Sequence, residues 1–143
     1  MSNGIPVPPP AHFFQTRGPG QHFFGYYDKS AVNRNQTHLL SHRVNFDEWR
    51  LPQEGDVADI VIWNLKTGQS KKVAETRAWN WQQGSQLQWM GPDFQDRFIF
   101  NDLMDGQAIS RLFSVDQGEL RQFELPVYSV ARTGTHAICV NYN

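Results

Sequence analysis

Short runs of β-branched and aromatic residues, each bounded by turn residues, recur along the chain, whereas apolar residues at a helical spacing are rare. Three segments share one pattern, in which a first strand, a polar turn and a second strand follow one another. They begin at Phe24, Gln86 and Val127. The pattern predicts an all-β domain built from a repeated unit.

A second module follows the first two of these segments. Residues 60–69 match residues 110–119, and each stretch holds a turn glycine, Gly68 or Gly118. We expect both glycines to adopt a positive φ in a tight hairpin that leads to an outer strand. The resulting unit of four antiparallel strands is the blade of a β-propeller. A β-sandwich is the alternative, and the fixed order of the two modules favours the propeller.

The repeat predicts how the chain is divided. Residues 1–20, which are rich in proline, form an extended or disordered arm. Blade 1 covers about 22–75, blade 2 about 86–125, and half of a third blade about 127–143. The prediction is therefore a partial propeller of about two and a half blades, whereas closed propellers have about 4 to 8. Remaining blades or self-association would be needed to cover its open edge.

Composition narrows the function classes. The 143 residues include 13 Lys and Arg against 14 Asp and Glu, which gives a net charge of −1, and one cysteine. A disulfide scaffold is excluded, and no clustered basic surface for nucleic acid is indicated. We expect no membrane span, because no apolar run reaches about 20 residues. The first residues lack a secretory pattern, so the expected location is cytoplasmic.

Three motifs carry a family resemblance: HFFGYYDKS at 22–30, ETRAWNWQQG at 75–84 and LQW at 87–89. They resemble the N-terminal part of a family of bacterial β-propellers of the TolB and oligogalacturonate lyase type. In such lyases a metal is held by His and Gln side chains that, by this resemblance, belong to later blades. The resemblance therefore implies no metal ligand and no cofactor in this chain, and a divalent metal only in a complete propeller.

Blade topology predicts where a ligand would bind. The connection from the fourth strand to the next blade and the connection between the second and third strands emerge at the same end of a blade, together with the entry to the first strand. Tryptophan, amide and charged side chains in these segments suit sugar rings and their hydroxyl and carboxylate groups. The ligand-binding candidates are His22, Tyr26, Glu48, Trp49, Arg77, Trp79, Asn80, Trp81, Gln82 and Gln83. The alternative is that the tryptophans pack between blades with their indole N–H groups satisfied by the backbone.

Asp28 and Lys29 are the candidates for catalysis. We expect Tyr26 to Lys29 to lie on the first strand, so that Tyr26 and Asp28 face one way and Tyr27 and Lys29 the other. If this strand lines the central channel, one pair contacts the neighbouring blade and the residues lie near an axial pocket. Asp28 and Lys29 would then serve as base and charge neutraliser for proton abstraction beside a carboxylate. Hydrogen bonding between blades is the structural alternative.

The function expected from these observations is a segment of a carbohydrate-active β-propeller. Its enzymatic form would be a polysaccharide lyase that cleaves an acidic oligosaccharide by β-elimination. The alternatives are a non-catalytic propeller scaffold that binds protein or glycan, and a fragment with no activity of its own.

Overall fold

The computed structural model describes residues 14–46 and 50–140, whose regular elements are all β-strands. Unit 1 comprises β1 (Gln21–Phe23), β2 (His38–Val44), β3 (Ala58–Asn64) and β4 (Ser70–Thr76). Unit 2 comprises β5 (Gln88–Trp89), β6 (Arg97–Met104), β7 (Gln107–Ser114) and β8 (Gly118–Phe123). Unit 3 comprises β9 (Ser129–Val130) and β10 (Ala137–Ile138). In these ranges there is no helix with the length and apolar character that a membrane crossing requires.

Units 1 and 2 are each a four-stranded antiparallel sheet with the strands in chain order, and unit 3 is an antiparallel pair. Gly68, at φ 72°, lies in the turn between β3 and β4, and Gly118, at φ 79°, ends the turn after β7 and is the first residue of β8. Any other residue would be strained in this left-handed region. The predictions of an all-β chain, of four-stranded antiparallel units and of both turn glycines are therefore confirmed.

The sheets of units 1 and 2 are covered on both faces. We call the face toward the next unit along the chain the forward face, and the opposite face the rear face. The forward face of unit 1 packs on the rear face of unit 2 through the buried residues Leu40, Ile60, Ile62, Leu87, Trp89, Phe98, Phe100 and Phe113. On the forward face of unit 2, Ile99 and Leu112 pack against Val127 and Val130 of unit 3. Equivalent strand positions thus form both interfaces, since Ile62 and Leu112 each lie six residues before their turn glycine.

The rear face of unit 1 is also apolar and buried. Val61 and Trp63 are 1% and 2% exposed. Trp63 meets the rings of Phe14, at 5.8 Å between centroids, and His22, at 5.2 Å. Its indole N–H donates to Ser41 Oγ at 3.0 Å. Of the predicted arm, only 14–20 lies in the described range, and its Phe14 covers this face.

The prediction that Tyr26 to Lys29 form a strand is wrong. The first strand of unit 1 is β1, which ends at Phe23, and Tyr26 to Lys29 form a turn in which the Lys29 N–H lies 3.5 Å from the Tyr26 carbonyl oxygen. Gly25, at φ 146°, stands between the strand and the turn. Aromatic residues favour strands only where they fit a half-buried pleated surface, and Tyr27 is 87% exposed.

Candidate functional site

The two connections predicted to carry the site do meet at one end of unit 1. The indole N–H of Trp79 donates to the carbonyl oxygen of Asp56 at 3.0 Å, and that of Trp81 donates to the carbonyl oxygen of Arg50 at 2.5 Å. Their rings pack edge to face with 5.3 Å between centroids. Residues after β4 are thereby fastened to the connection between β2 and β3.

This end is an aromatic cluster in which the tryptophans act as packing groups. Phe23 lies 5.5 Å from Trp79 and 4.9 Å from Trp81, and Phe46 lies 6.3 Å and 6.0 Å from them. Trp79 is only 8% exposed. Since both indole donors are bound to backbone carbonyls, the geometry favours packing over ligand contact for the two tryptophans.

The remaining candidates of this end are spread among different roles. Arg77, Asn80 and Gln82 are exposed. Asn80 Oδ1 accepts the N–H of Gln83 at 2.8 Å, so this side chain shapes its own loop. Glu48 and Trp49 lie outside the described residues.

The connection before β3 is held by an ion pair. Arg50 Nη1 lies 2.5 Å from Asp56 Oδ2, and the Gln53 N–H also donates to that carboxylate, at 2.6 Å. Hydrogen bonds from Arg50 and Gln53 lower the pKa of Asp56 to about 2. The carboxylate is therefore ionised at neutral pH and orders the segment that receives the two indole donors.

A His–Ser pair lies in the seam between units 1 and 2. His42 Nε2 is 2.8 Å from Ser85 Oγ and accepts the Ser85 N–H at 3.1 Å. A serine beside a histidine is the geometry of an activated nucleophile. Here the histidine is completely buried and Ser85 is 1% exposed, so no substrate reaches the hydroxyl. The pair fastens β2 to the connection that leads into unit 2.

Unit 2 has a similar hydrogen bond to the next unit at the equivalent position of its second strand. Asn101 of β6 corresponds to His42 of β2. His42 lies three residues after Leu39, which pairs with Trp63, and Asn101 lies three residues after Phe98, which pairs with Phe113. Asn101 Oδ1 accepts the Val127 N–H at 2.7 Å, and its Nδ2 donates to the Val127 carbonyl at 2.8 Å. Because His42 and Asn101 both bond the segment that leads into the next unit, the His42–Ser85 pair is interpreted as structural.

A groove of about 1350 Å³ lies where the three units come together. Its walls come from the turn after β1, the turns before β2 and β4, strand β5, and the turn between β9 and β10. Small-molecule pockets occupy about 300–1,000 Å³, so this volume accommodates an oligomeric ligand. Gln88 of β5 closes the wall between units 2 and 3, because it donates to the Tyr128 carbonyl at 3.3 Å and accepts the Val130 N–H at 3.1 Å.

Positive charge dominates this groove. Among the described residues that line it, the basic side chains are Lys29, Arg34, Lys66 and Arg132, and the carboxylate is Asp28. Asp28 is paired with Lys29, with 3.1 Å between Oδ2 and Nζ. Within the described ranges, Arg34, Lys66 and Arg132 form no ion pair. On a chain whose net charge is −1, the groove therefore carries a local excess of positive charge.

The groove contains both catalytic candidates and only part of the remaining prediction. Asp28 and Lys29 line it, from a turn rather than from a strand. Tyr26 lies in the same turn, whereas His22 belongs to the rear face of unit 1, where burial and the charge of Arg43 lower its pKa. Trp79 and Trp81 do not line the groove.

Of the basic residues that line the groove, Lys29 was a candidate from the sequence, whereas Arg34, Lys66 and Arg132 were not. Arg34 and Arg132 occupy the turns between the first and second strands of units 1 and 3, each four residues before a histidine that follows a threonine. Both histidines bond that threonine, at 3.1 Å from Thr37 to His38 and 2.9 Å from Thr135 to His136. The shared turn position was a signal available in the repeat.

No known protein family, curated protein or solved structure matches the chain. The described residues also contain no group of three or more His, Cys, Asp and Glu side chains arranged to hold a metal ion.

Proposed function

We propose that units 1, 2 and 3 are consecutive blades of a β-propeller. The support is the repeated strand order, the packing of a forward face on a rear face at both interfaces, and the equivalent seam residues His42 and Asn101. The resemblance to TolB-type and oligogalacturonate lyase-type propellers agrees with this arrangement. Inner strands surround the axis of a propeller, and the groove lies beside β5 and β9.

A cleft of about 550 Å³ beside unit 3 is consistent with this proposal. It lies between β8 and β10, and is lined by apolar groups such as Phe123, Leu125 and Val127. In units 1 and 2 the second strand pairs with a third, whereas β10 pairs with β9 alone among the described strands. Two further strands, from additional blades or a second copy, would fill the cleft and cover this edge.

We propose that the function is binding of a carboxylated oligosaccharide in the groove. The observation that carries it is the excess of four basic side chains over one carboxylate in a cavity of oligomer size. Arginine binds carboxylates through two parallel hydrogen bonds, and Arg34 and Arg132 approach from different units, which suits successive acidic groups along a chain. Nucleic acid is disfavoured, because the 13 Lys and Arg residues are outnumbered by 14 Asp and Glu and are scattered along the sequence.

Calorimetric titration of the protein with a defined-length oligogalacturonate tests the proposal. We expect saturable binding that weakens with added salt and is lost when the carboxylates are methyl-esterified. Arg34→Gln and Arg132→Gln should each weaken binding about tenfold or more, because each removes a charge-assisted contact. Lys71→Gln is the matched control, since it removes one exposed positive charge outside the groove.

Two outcomes would contradict this proposal. One is equal affinity for the free and the methyl-esterified oligosaccharide. The other is an affinity that Arg34→Gln and Lys71→Gln reduce alike. In either case the non-catalytic scaffold for a protein partner becomes the better account of the same groove.

A catalytic role is the second candidate, because Asp28 and Lys29 both line the groove. In a β-elimination, Asp28 would take the C–H proton beside the carboxylate that Lys29 neutralises. The electron pair of that bond forms a C=C bond, the neighbouring C–O glycosidic bond breaks, and the departing oxygen takes a proton from water. The unsaturated product absorbs ultraviolet light, so the titrated sample reports the reaction directly. Absence of new absorbance from the wild-type protein, with and without divalent metal, would leave binding as the function.

A further inference from the structure

Two exposed tyrosines stand beside the groove. The rings of Tyr26 and Tyr27 lie 4.4 Å apart between centroids, inclined by 36°. Tyr27 is 87% exposed and Tyr26 36% exposed. Both belong to the turn that supplies Asp28 and Lys29 to the groove wall.

A third tyrosine approaches from unit 3. Lys29 Nζ lies 5.3 Å from the centroid of the Tyr128 ring. The same ammonium group also forms the ion pair with Asp28. Tyr128 is 39% exposed and directly precedes β9, whose two residues line the groove. The tyrosine cluster is defined as Tyr26, Tyr27 and Tyr128. It draws on the turn after β1 and on the start of unit 3, and Lys29 connects the two, since it belongs to that turn and contacts Tyr128.

The cluster has features of a ligand surface rather than of packing. Large aromatic side chains stabilise a fold by burying area, and Tyr27 buries little. Scattered exposed apolar residues need no explanation, but a group of exposed rings beside polar groups marks an interaction site. Lys29 joins this group to the basic groove, so a single ligand can contact both.

We propose that the tyrosine cluster is a stacking subsite for the pyranose rings of the acidic oligosaccharide. This inference rests on the proposed binding function and names the part of the ligand that the groove charges do not recognise. One face of a pyranose ring carries C–H bonds and packs on an aromatic ring, while the tyrosine hydroxyls bond sugar hydroxyls. Lys29 places a positive charge next to the stacked ring, where a uronic acid carries its carboxylate.

Binding of the same oligogalacturonate to tyrosine variants tests the subsite. Tyr27→Ala and Tyr128→Ala should each weaken binding about tenfold, as for aromatic anchors of other binding sites. Tyr27→Phe retains the ring and should bind within about twofold of wild type. Leu120→Ala, at an exposed apolar residue on β8 outside the groove, is the control and should bind as wild type.

A second readout separates stacking from a general loss of binding. The salt dependence should be unchanged in Tyr27→Ala, because all groove charges remain, and it should fall in Arg34→Gln. Ring resonances of labelled Tyr27 and Tyr128 should shift on addition of the oligosaccharide to wild-type protein. If the wild-type protein does not bind, the proposed function itself fails. The subsite is contradicted if Tyr27→Ala and Tyr128→Ala keep the wild-type affinity and the ring resonances do not shift. If Arg34→Gln loses affinity in the same experiment, binding in the groove is still supported.

Discussion

Protonation of His42 should weaken the junction between units 1 and 2 as the pH falls below neutral. The Ser85 N–H occupies Nε2, so the ring of the folded protein is neutral with its proton on Nδ1. Burial lowers the pKa of His42 to about 4, against a smaller opposing effect of the Phe24 and Phe23 backbone. In the unfolded chain the same group titrates near 6.5.

The size of the effect follows from these two pKa values. The unfolded chain takes up the proton at a higher pH than the folded protein does. The contribution of neutral His42 to the free energy of unfolding is therefore fully present above the unfolded pKa and is lost as the pH falls toward the folded pKa. At pH 5 nearly all unfolded chains and about a tenth of folded ones carry the proton. The free energy of unfolding should therefore decrease by about 2 kcal/mol between pH 7 and pH 5 through this residue alone.

Urea denaturation followed by tryptophan fluorescence at pH 7, 6 and 5 measures this decrease. The comparison variant is His42→Asn, because asparagine stands at the equivalent position of unit 2 and cannot be protonated. Its free energy of unfolding should decrease by about 2 kcal/mol less than that of wild type over the same interval. Hydrogen bonds to basic groups lower the pKa values of three carboxylates, Asp56, Asp59 and Glu119. Their contributions to the free energy of unfolding are therefore lost mainly at more acidic pH.

The reasoning is refuted if wild type and His42→Asn lose the same free energy between pH 7 and pH 5. An NMR titration of the His42 ring in wild-type protein gives a second check. A pKa near 6.5 in the folded protein would mean that the seam admits water and charge, contrary to the complete burial of this side chain.

Two further substitutions test the packing between units 2 and 3 and at the aromatic end of unit 1. Asn101→Ala should lower the free energy of unfolding by about 2 kcal/mol, because it leaves the N–H and carbonyl of buried Val127 without their partner. Loss of amide exchange protection should be concentrated in unit 3, and unchanged protection there would contradict this role. Trp79→Phe should cost about 1–2 kcal/mol through the lost bond to Asp56 and the smaller ring. Arg77→Gln, at an exposed neighbour, should leave the urea midpoint unchanged, and an equal loss in both variants would contradict the packing role of Trp79.

The strands that sequence analysis found are those with a strong local pattern. β2, β3, β6 and β7 are seven or eight residues long, which is enough for alternation to show, and their turns carry obligatory glycines. β1 has three residues, which are too few to show the alternation of a strand. The sequence therefore predicts the first strand in the more aromatic segment that follows. That segment is a turn because of its surroundings, which local propensity does not contain.

The site was predicted less well for a different reason. Sequence topology correctly brought the tryptophan connection to the connection between β2 and β3. Whether an indole N–H faces a ligand or a carbonyl depends on the path of the Arg50 to Asp56 backbone, which no residue pattern specifies. The groove draws on residues as distant in sequence as Lys29 and Arg132, so its charge emerges only once the units are stacked.

Units 1 and 3 place an arginine at the same position of the turn that precedes the second strand. Arg34 and Arg132 each follow a residue whose carbonyl oxygen accepts the N–H three residues further on, at 2.9 Å in unit 1 and 2.8 Å in unit 3. The turn of unit 2 is longer, because the Phe94 N–H donates to the Met90 carbonyl oxygen, four residues back, at 3.0 Å. Backbone groups close these turns, so the turns do not require the two arginine side chains. Their positive charge is left to be explained by what the groove binds.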